Sequence, residues 1–291
     1  MTHVLTLIAD RRSGLLSGAI IARVREALGG GAPDVLSPCE AVDIACAAPP
    51  DLDAVRAALE DAPVDAIATP AKGRRKKLLL ADMDSTIVTA ETLDELAAHA
   101  GLKAEVAEIT RAGMNGEIDF REGLRRRVAM LKGLSVTALE ETWRALGFTP
   151  GAHALVATMR AHGATTALVS GGFSFFTDRV AGRLGFHIHR ANVLIHDEHV
   201  LSGAVEEPIL DRDSKLAALE ELAAASGLPL CATLAVGDGA NDLPMLLAAG
   251  IGVAFHAKPI VAASARARID FSDLRALLFA QGYHAGEIIE A

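Results

Sequence analysis

The chain's 291 residues, at about 150 per domain, are enough for two domains, and 51% apolar against 22% charged residues, with mean hydropathy +0.31, describe a globular chain. No stretch reaches the roughly 18 uncharged apolar residues of a membrane span, and the opening MTHVLTLIADRRSG lacks a cationic segment leading into an apolar core, so a cytoplasmic protein without a membrane partner is expected. A net charge of −9 offers no basic footprint for nucleic acid, and Cys39, Cys46 and Cys231, with no CxxC pair, support neither a disulfide framework nor a thiolate zinc site.

From the N-terminus, short apolar runs (Val4 to Ile8, Ala41 to Ala47, Val64 to Ala68) alternate with helix-like stretches, Leu15 to Leu28 and Leu52 to Leu59. That order predicts a small α+β unit of ferredoxin-like β-α-β-β-α-β form over residues 1–72. The basic run Lys72, Arg74, Arg75, Lys76, Lys77 follows Pro70 and is expected to be a solvated boundary. Over 73–291, four apolar runs lack period-2 alternation: Leu78 to Ala81, Thr165 to Val169, Ala232 to Val236 and Ile251 to Ala254. Such runs suit strands buried on both faces of a parallel sheet, and the helical patterns between them predict a Rossmann-like, doubly wound α/β domain. The almost wholly helical stretch from Glu91 to about Pro150 is far longer than a crossover needs, so a helical cap inserted after the first core strand is predicted there. Phe186 to Gly203 alternates apolar and polar positions and is expected to be a β-hairpin.

Polar clusters follow three of the predicted core strands: Asp82-Met83-Asp84-Ser85-Thr86, Ser170-Gly171-Gly172 and Gly237-Asp238-Gly239-Ala240-Asn241-Asp242. Ligands of open α/β sheets bind outside the carboxyl ends of the strands, so these clusters should converge. Asp, Ser, Asn and Gly also favour turns and helix caps, which explains any one cluster alone. Together they gather Asp82, Asp84, Asp238 and Asp242, whose mutual repulsion calls for a cation. Hard oxygen donors with no His or Cys select Mg²⁺, and Mg²⁺ commonly shares its shell with a phosphate oxygen.

These motifs, with Lys215 between the second and the last, resemble those of the haloacid dehalogenase superfamily. The DMDST form, with Glu91 nine residues after Asp82 and Met114, Phe120 and Leu124-Arg125-Arg126-Arg127-Val128 in the cap, is similar to the phosphoserine phosphatase family. The resemblance implies that Asp82 is a nucleophile, that Asp84 is general acid then base, and that Asp82, the carbonyl of Asp84 and Asp238 hold Mg²⁺. It further implies that Asn241 and Asp242 orient that shell, Asn241 lying also on the substrate side. Ser170, Gly171 and Lys215 would then bind the phosphoryl oxygens, and the substrate would be L-phosphoserine, hydrolysed in the last step of serine synthesis. Glu91 would take the substrate's ammonium and Arg127 its carboxylate, while Met114 and Phe120 would close over it. Taken alone, Lys215 reads as a surface lysine on a helix capped by Asp213, and Met114 and Phe120 read as cap core.

Residues 1–72 resemble an ACT-type regulatory fold, which implies amino-acid binding or a homodimer. His187, His189, His196 and His199 are expected to be exposed hairpin positions, not a metal site. Two alternatives stand beside phosphate hydrolysis: transfer of the phosphoryl group to another alcohol, and an amino-acid sensor without turnover.

Overall fold

The computed structural model describes residues 1–114 and 117–290, with only the backbone at Met114. The N-terminal unit runs β1 (His3–Ile8), α1 (Gly18–Leu28), β2 (Pro33–Ser37), β3 (Ala41–Cys46), α2 (Leu52–Leu59) and β4 (Asp65–Pro70). Its strands form an antiparallel sheet in the order β2-β3-β1-β4. Ser17 and Asp51 cap the two helices by accepting backbone N–H bonds, and Gly29 closes α1 in the left-handed conformation. The expected β-α-β-β-α-β order is the one observed.

The larger unit continues with β5 (Leu78–Ala81), cap helices α3 (Thr92–Ala98), α4 (Lys103–Met114), α5 (Phe120–Ala129) and α6 (Thr137–Ala145), then α7 (Ala152–Ala161) and β6 (Thr165–Phe173). It ends through α8 (Ser174–Leu184), β7 (Ile188–Asn192), β8 (Leu194–His196), β9 (Leu201–Val205), α9 (Arg212–Ala225), β10 (Thr233–Gly237), α10 (Leu243–Ala248), β11 (Ile251–Phe255), α11 (Pro259–Ser264), β12 (Ala267–Ile269) and α12 (Ala276–Phe279). Among the described residues the core sheet is wholly parallel, in the order β12-β11-β10-β5-β6-β7. The missing alternation in β5 has a direct cause. Leu79 and Ala81 pack with α7 and α8 on one face, Leu78 and Leu80 with α9 and α10 on the other, so both faces need apolar side chains. The chain winds outward from β5 through β6 and β7, then returns to wind the other way through β10, β11 and β12. The crevice opens where that order reverses, at the carboxyl end of β5.

Two expectations need correction. The basic run is only partly solvated: Lys72, Arg75 and Lys77 are exposed, but Lys76 is buried, donating to the carbonyls of Gly73 and Cys231, and Arg74 pairs with Asp43 and donates to Thr6 Oγ1. The two units share one apolar core, Ile8, Leu36 and Ile67 packing with Leu274, Leu277 and Phe279. Buried Asp65 accepts the N–H groups of Asp270 and Ser272 at 2.7 and 2.9 Å, and Arg275 pairs with Glu40. The second correction concerns the hairpin. Its first half is β7, the edge of the core sheet, and only β8 and β9 pair as a hairpin. That hairpin bonds to the cap through Gly133 N–H to Leu201 O and Leu201 N–H to Leu134 O. His196 and His199 are exposed on it, and of the other two expected there, His187 is exposed and His189 half-buried on β7 and its approach, bonding to Thr166 and Thr177. Among the described residues no helix is long and apolar enough to cross a membrane.

Candidate active site

After β5 the backbone turns sharply. Asp84 is extended and Ser85 takes φ 54°, a left-handed conformation that a non-glycine residue adopts at some cost. The turn sends the carboxyls of both Asp82 and Asp84 into the cleft, whose lining includes Asp82, Asp84, Ser170, Gly171, Asp238 and Asn241. The three clusters therefore converge.

Asp82 is 5% exposed and its carboxylate lies 2.7 Å from Lys215 Nζ. Lys215 also reaches Asp242 Oδ1 at 2.5 Å, and Asp242 Oδ2 accepts the Gly239 N–H at 3.0 Å. Lys215 stands one turn into α9. The helix is capped by Asp211, not Asp213: Asp211 accepts the N–H groups of Asp213 and Ser214. Far from being a surface lysine, Lys215 is 2% exposed. Burial opposes its charge, but Asp242 and Asp82 outweigh burial and hold the ammonium above its ordinary range.

Asp82, Asp238 and Asp242 can bring one oxygen each within 4.8 Å of one another. Burial, then the charge of Asp242, pushes the Asp82 carboxyl well above the usual carboxylate range, and the same causes raise Asp238 to about 6. Beyond burial, the part of these shifts that comes from Asp242 shows that Lys215 does not fully offset the neighbouring negative charge. A hard divalent cation fits this donor set on charge and on ligand type, since every candidate donor is oxygen.

Asp84 accepts the Thr92 N–H at the start of α3 through Oδ1, at 2.9 Å, and Ser170 Oγ lies 3.4 Å from Oδ2. Burial, then Glu91, raises its pKa to about 7. Ser170 Oγ accepts the Gly172 N–H at 2.8 Å. The glycines here are set by close approach: a Cβ on Gly172 would stand 2.7 Å from Asp84 Oδ2, and one on Gly171 would stand 2.9 Å from the Phe120 ring. The cap is thus down on the core at Phe120.

Of the three consecutive arginines, Arg125 pairs with Glu207 and Arg126 with Glu122, both exposed. Arg127 lines the cleft, held by bonds to Thr110 Oγ1 at 3.0 Å and Gly123 O at 3.2 Å. Glu91 lines it too and accepts the Ser85 hydroxyl at 2.8 Å. The side chain of Met114 lies outside the described residues. Lys258 was not foreseen: it lines the cleft, with Nζ 3.5 Å from Asp238 Oδ2. It follows β11, the last of the four core strands predicted from the sequence, where the same strand-end reasoning applies.

A fold reversal that gathers two aspartates from one strand end, a buried lysine and a glycine-rich turn defines a class. The model of the haloacid dehalogenase-like hydrolases matches residues 79–247, and the chain belongs to that family. Within it the similarity runs to phosphoserine phosphatases. The chain is 47% identical over 208 residues to one from Polaromonas, covering 69% of this chain and 88% of that protein. It is 42% identical over 215 residues to one from Streptomyces coelicolor, covering 74% of this chain and 52%, about half, of that longer protein. A solved structure of a phospho-aspartyl intermediate analogue of phosphoserine phosphatase superposes with TM-score 0.67 at 40% identity, covering 70% of this chain and 98% of that one.

Proposed function

We propose that the chain is a Mg²⁺-dependent phosphatase that hydrolyses L-phosphoserine to L-serine and phosphate through an aspartyl-phosphate on Asp82, the last step of serine synthesis. The observation that carries this reading is a pair of carboxyls at one strand end: Asp82 is 2.7 Å from Lys215 Nζ, and Asp84 shares the cleft with Ser170. Asp82 attacks phosphorus in line, and its oxygen–phosphorus bond forms as the bond to the seryl oxygen breaks. Asp84 gives its proton to that leaving oxygen. It then takes a proton from the water that attacks the acyl-phosphate, which frees phosphate and restores the Asp82 carboxylate. Lys215, the Ser170 hydroxyl and the Gly171 N–H bind the non-bridging oxygens and offset the charge that an anionic nucleophile meets at a phosphate.

Asp82, Asp238 and the main-chain carbonyl of Asp84 would hold Mg²⁺, with Asn241 and Asp242 orienting them, and the ion would polarise a phosphoryl oxygen. Glu91 takes the substrate ammonium, and Arg127 takes the carboxylate with its planar fork. Phe120 closes over the bound ester. The names of the similar proteins support this assignment. The test is phosphate release from a set of small phosphomonoesters, with and without Mg²⁺ and with no acceptor alcohol. Mg²⁺-dependent release from phosphoserine is expected, and its absence would overturn the reading.

Residues 1–72, we further propose, are an ACT-like regulatory or dimerising unit attached to a phosphatase unit of residues 73–291, in a cytoplasmic protein. The strand and helix order of that unit supports this. Serine binding at a second site and a dimer in sedimentation are the corresponding measurements.

A further inference from the structure

β6 and β7 run in register through Val169 and Arg190, and the next paired residues are Phe173 and Asn192. Four steps along β6 are matched by two along β7, so Ser170, Gly171 and Gly172 bulge from the ladder. A bulged carbonyl loses its strand partner and must find another donor. For Gly171 that donor is a side chain: Asn192 Nδ2 donates to Gly171 O at 2.8 Å. Asn192 is 3% exposed, and its amide also holds Leu210, accepting the N–H at 2.7 Å and donating to the carbonyl at 3.4 Å. Leu210 directly precedes Asp211, the cap of the helix that carries Lys215.

Fixing the Gly171 carbonyl also fixes the next amide, because carbonyl and N–H of one planar trans peptide point opposite ways. The Gly172 N–H accordingly meets Ser170 Oγ at 2.8 Å, which commits a hydroxyl lone pair and leaves the hydroxyl proton to be donated. Asn192 is not among the residues lining the cleft. We infer that Asn192 is a positioning residue for phosphoryl binding: its amide locks the Ser170 to Gly172 bulge to the lead-in of α9, so that hydroxyl, amide and ammonium converge on one phosphoryl group. The inference rests on the reading of Ser170, Gly171 and Lys215 as the phosphoryl-binding groups.

Asn192→Asp keeps the size and the acceptor for Leu210 but sets a carboxylate oxygen against Gly171 O, while Asn192→Ser removes the bridge. Each variant is compared with wild type by thermal melting, by phosphoserine turnover, and by calorimetric binding of inorganic phosphate and of L-serine in Mg²⁺. Both variants should melt cooperatively, with phosphate affinity and kcat each lowered by about 10- to 100-fold, the usual cost of losing an orienting partner. L-Serine affinity, set by Glu91 and Arg127, should stay at the wild-type level. Wild-type phosphate affinity in both variants would overturn the inference. Loss of phosphate and serine binding together, or failure of both variants to fold, would overturn it too by reducing Asn192 to a fold residue. A wild-type chain that binds no phosphate overturns the functional reading itself, and this is seen before any Asn192 variant is made.

Discussion

Lys215→Met removes an ammonium that lies 2.7 Å from Asp82 and 2.5 Å from Asp242. At an effective dielectric of about 20 each contact amounts to about 6 kcal/mol of Coulomb attraction, and desolvation of the ammonium offsets a large part of it. Breaking such a pair costs about 3 to 5 kcal/mol, because the carboxylates stay behind without their partner. In a chain of this size that lowers the melting temperature by about 10 °C. Asp242→Asn added to Lys215→Met removes one stranded charge and should recover part of that loss. Turnover should stay down by at least about 100-fold in both, since the donor proposed for the phosphoryl oxygens is gone. Melting in chelator and phosphate release from phosphoserine measure the two effects separately. A Lys215→Met variant that melts like wild type, or a double variant no more stable than the single one, would refute the electrostatic reasoning.

Chelation of divalent ions should abolish phosphate release, and added Mg²⁺ should restore it and raise the melting temperature, because the ion neutralises the buried charge of Asp82, Asp238 and Asp242. Arg127→Ala should raise KM for phosphoserine by about 10- to 100-fold, the worth of a charge-assisted bond of about 1.5 to 3 kcal/mol, while an aryl phosphate without a carboxylate is turned over nearly as before; equal losses on both substrates would contradict the assigned role. Asp65→Ala leaves the buried-edge amides of Asp270, Phe271 and Ser272 without their acceptor, and denaturant unfolding should show a loss of about 3 kcal/mol or more. His187 accepts the Thr166 N–H through Nδ1, and burial, with Arg160 nearby, holds its pKa below the ordinary 6.5. The unfolded chain therefore binds this proton more readily, so the His187 contribution to stability declines as pH falls below about 6.5, opposite in sign to the gain from the raised carboxyls of Asp84 and Asp238. The difference in melting between wild type and His187→Gln should therefore change from pH 7 to 5 in favour of the variant.

How much of this was legible in the sequence follows from what each residue must satisfy locally. Leu78 to Ala81 announces a strand packed on both faces, and carboxylates at its end announce a crevice, because both demands act on neighbouring residues. Arg127 could be chosen among three arginines only through family spacing; the structure separates them by their partners, Glu207 for Arg125 and Glu122 for Arg126. The basic run misled because Arg74 finds Asp43 from another unit, a partner 31 positions away. Likewise β2, with three exposed residues of five, has too little apolar patterning to stand out. The sequence pattern extends the hairpin too far because β7, with four of its five residues only half-buried at the sheet edge, has the mixed apolar and polar make-up of a hairpin strand. Asn192 carries no signal at all, since Gly171 is brought to it by a bulge in β6 and Leu210 by the segment leading into α9.

The charge balance of the cleft supports the proposed cation. Asp82, Asp84, Glu91, Asp238 and Asp242 face Lys215, Arg127 and Lys258 there, and the chain as a whole is acidic. A phosphate dianion entering such a cleft would add to an existing negative excess, and the long-range field would oppose its approach. Local positive charge must therefore be in place first. Lys215 supplies part of it but is divided between Asp82 and Asp242, so on the proposed reading the remainder falls to an ion that the same aspartates would hold. Burial, with the mutual repulsion of these aspartates, lifts the carboxyls of Asp82 and Asp238, and relief of that repulsion is what would favour the proposed ion.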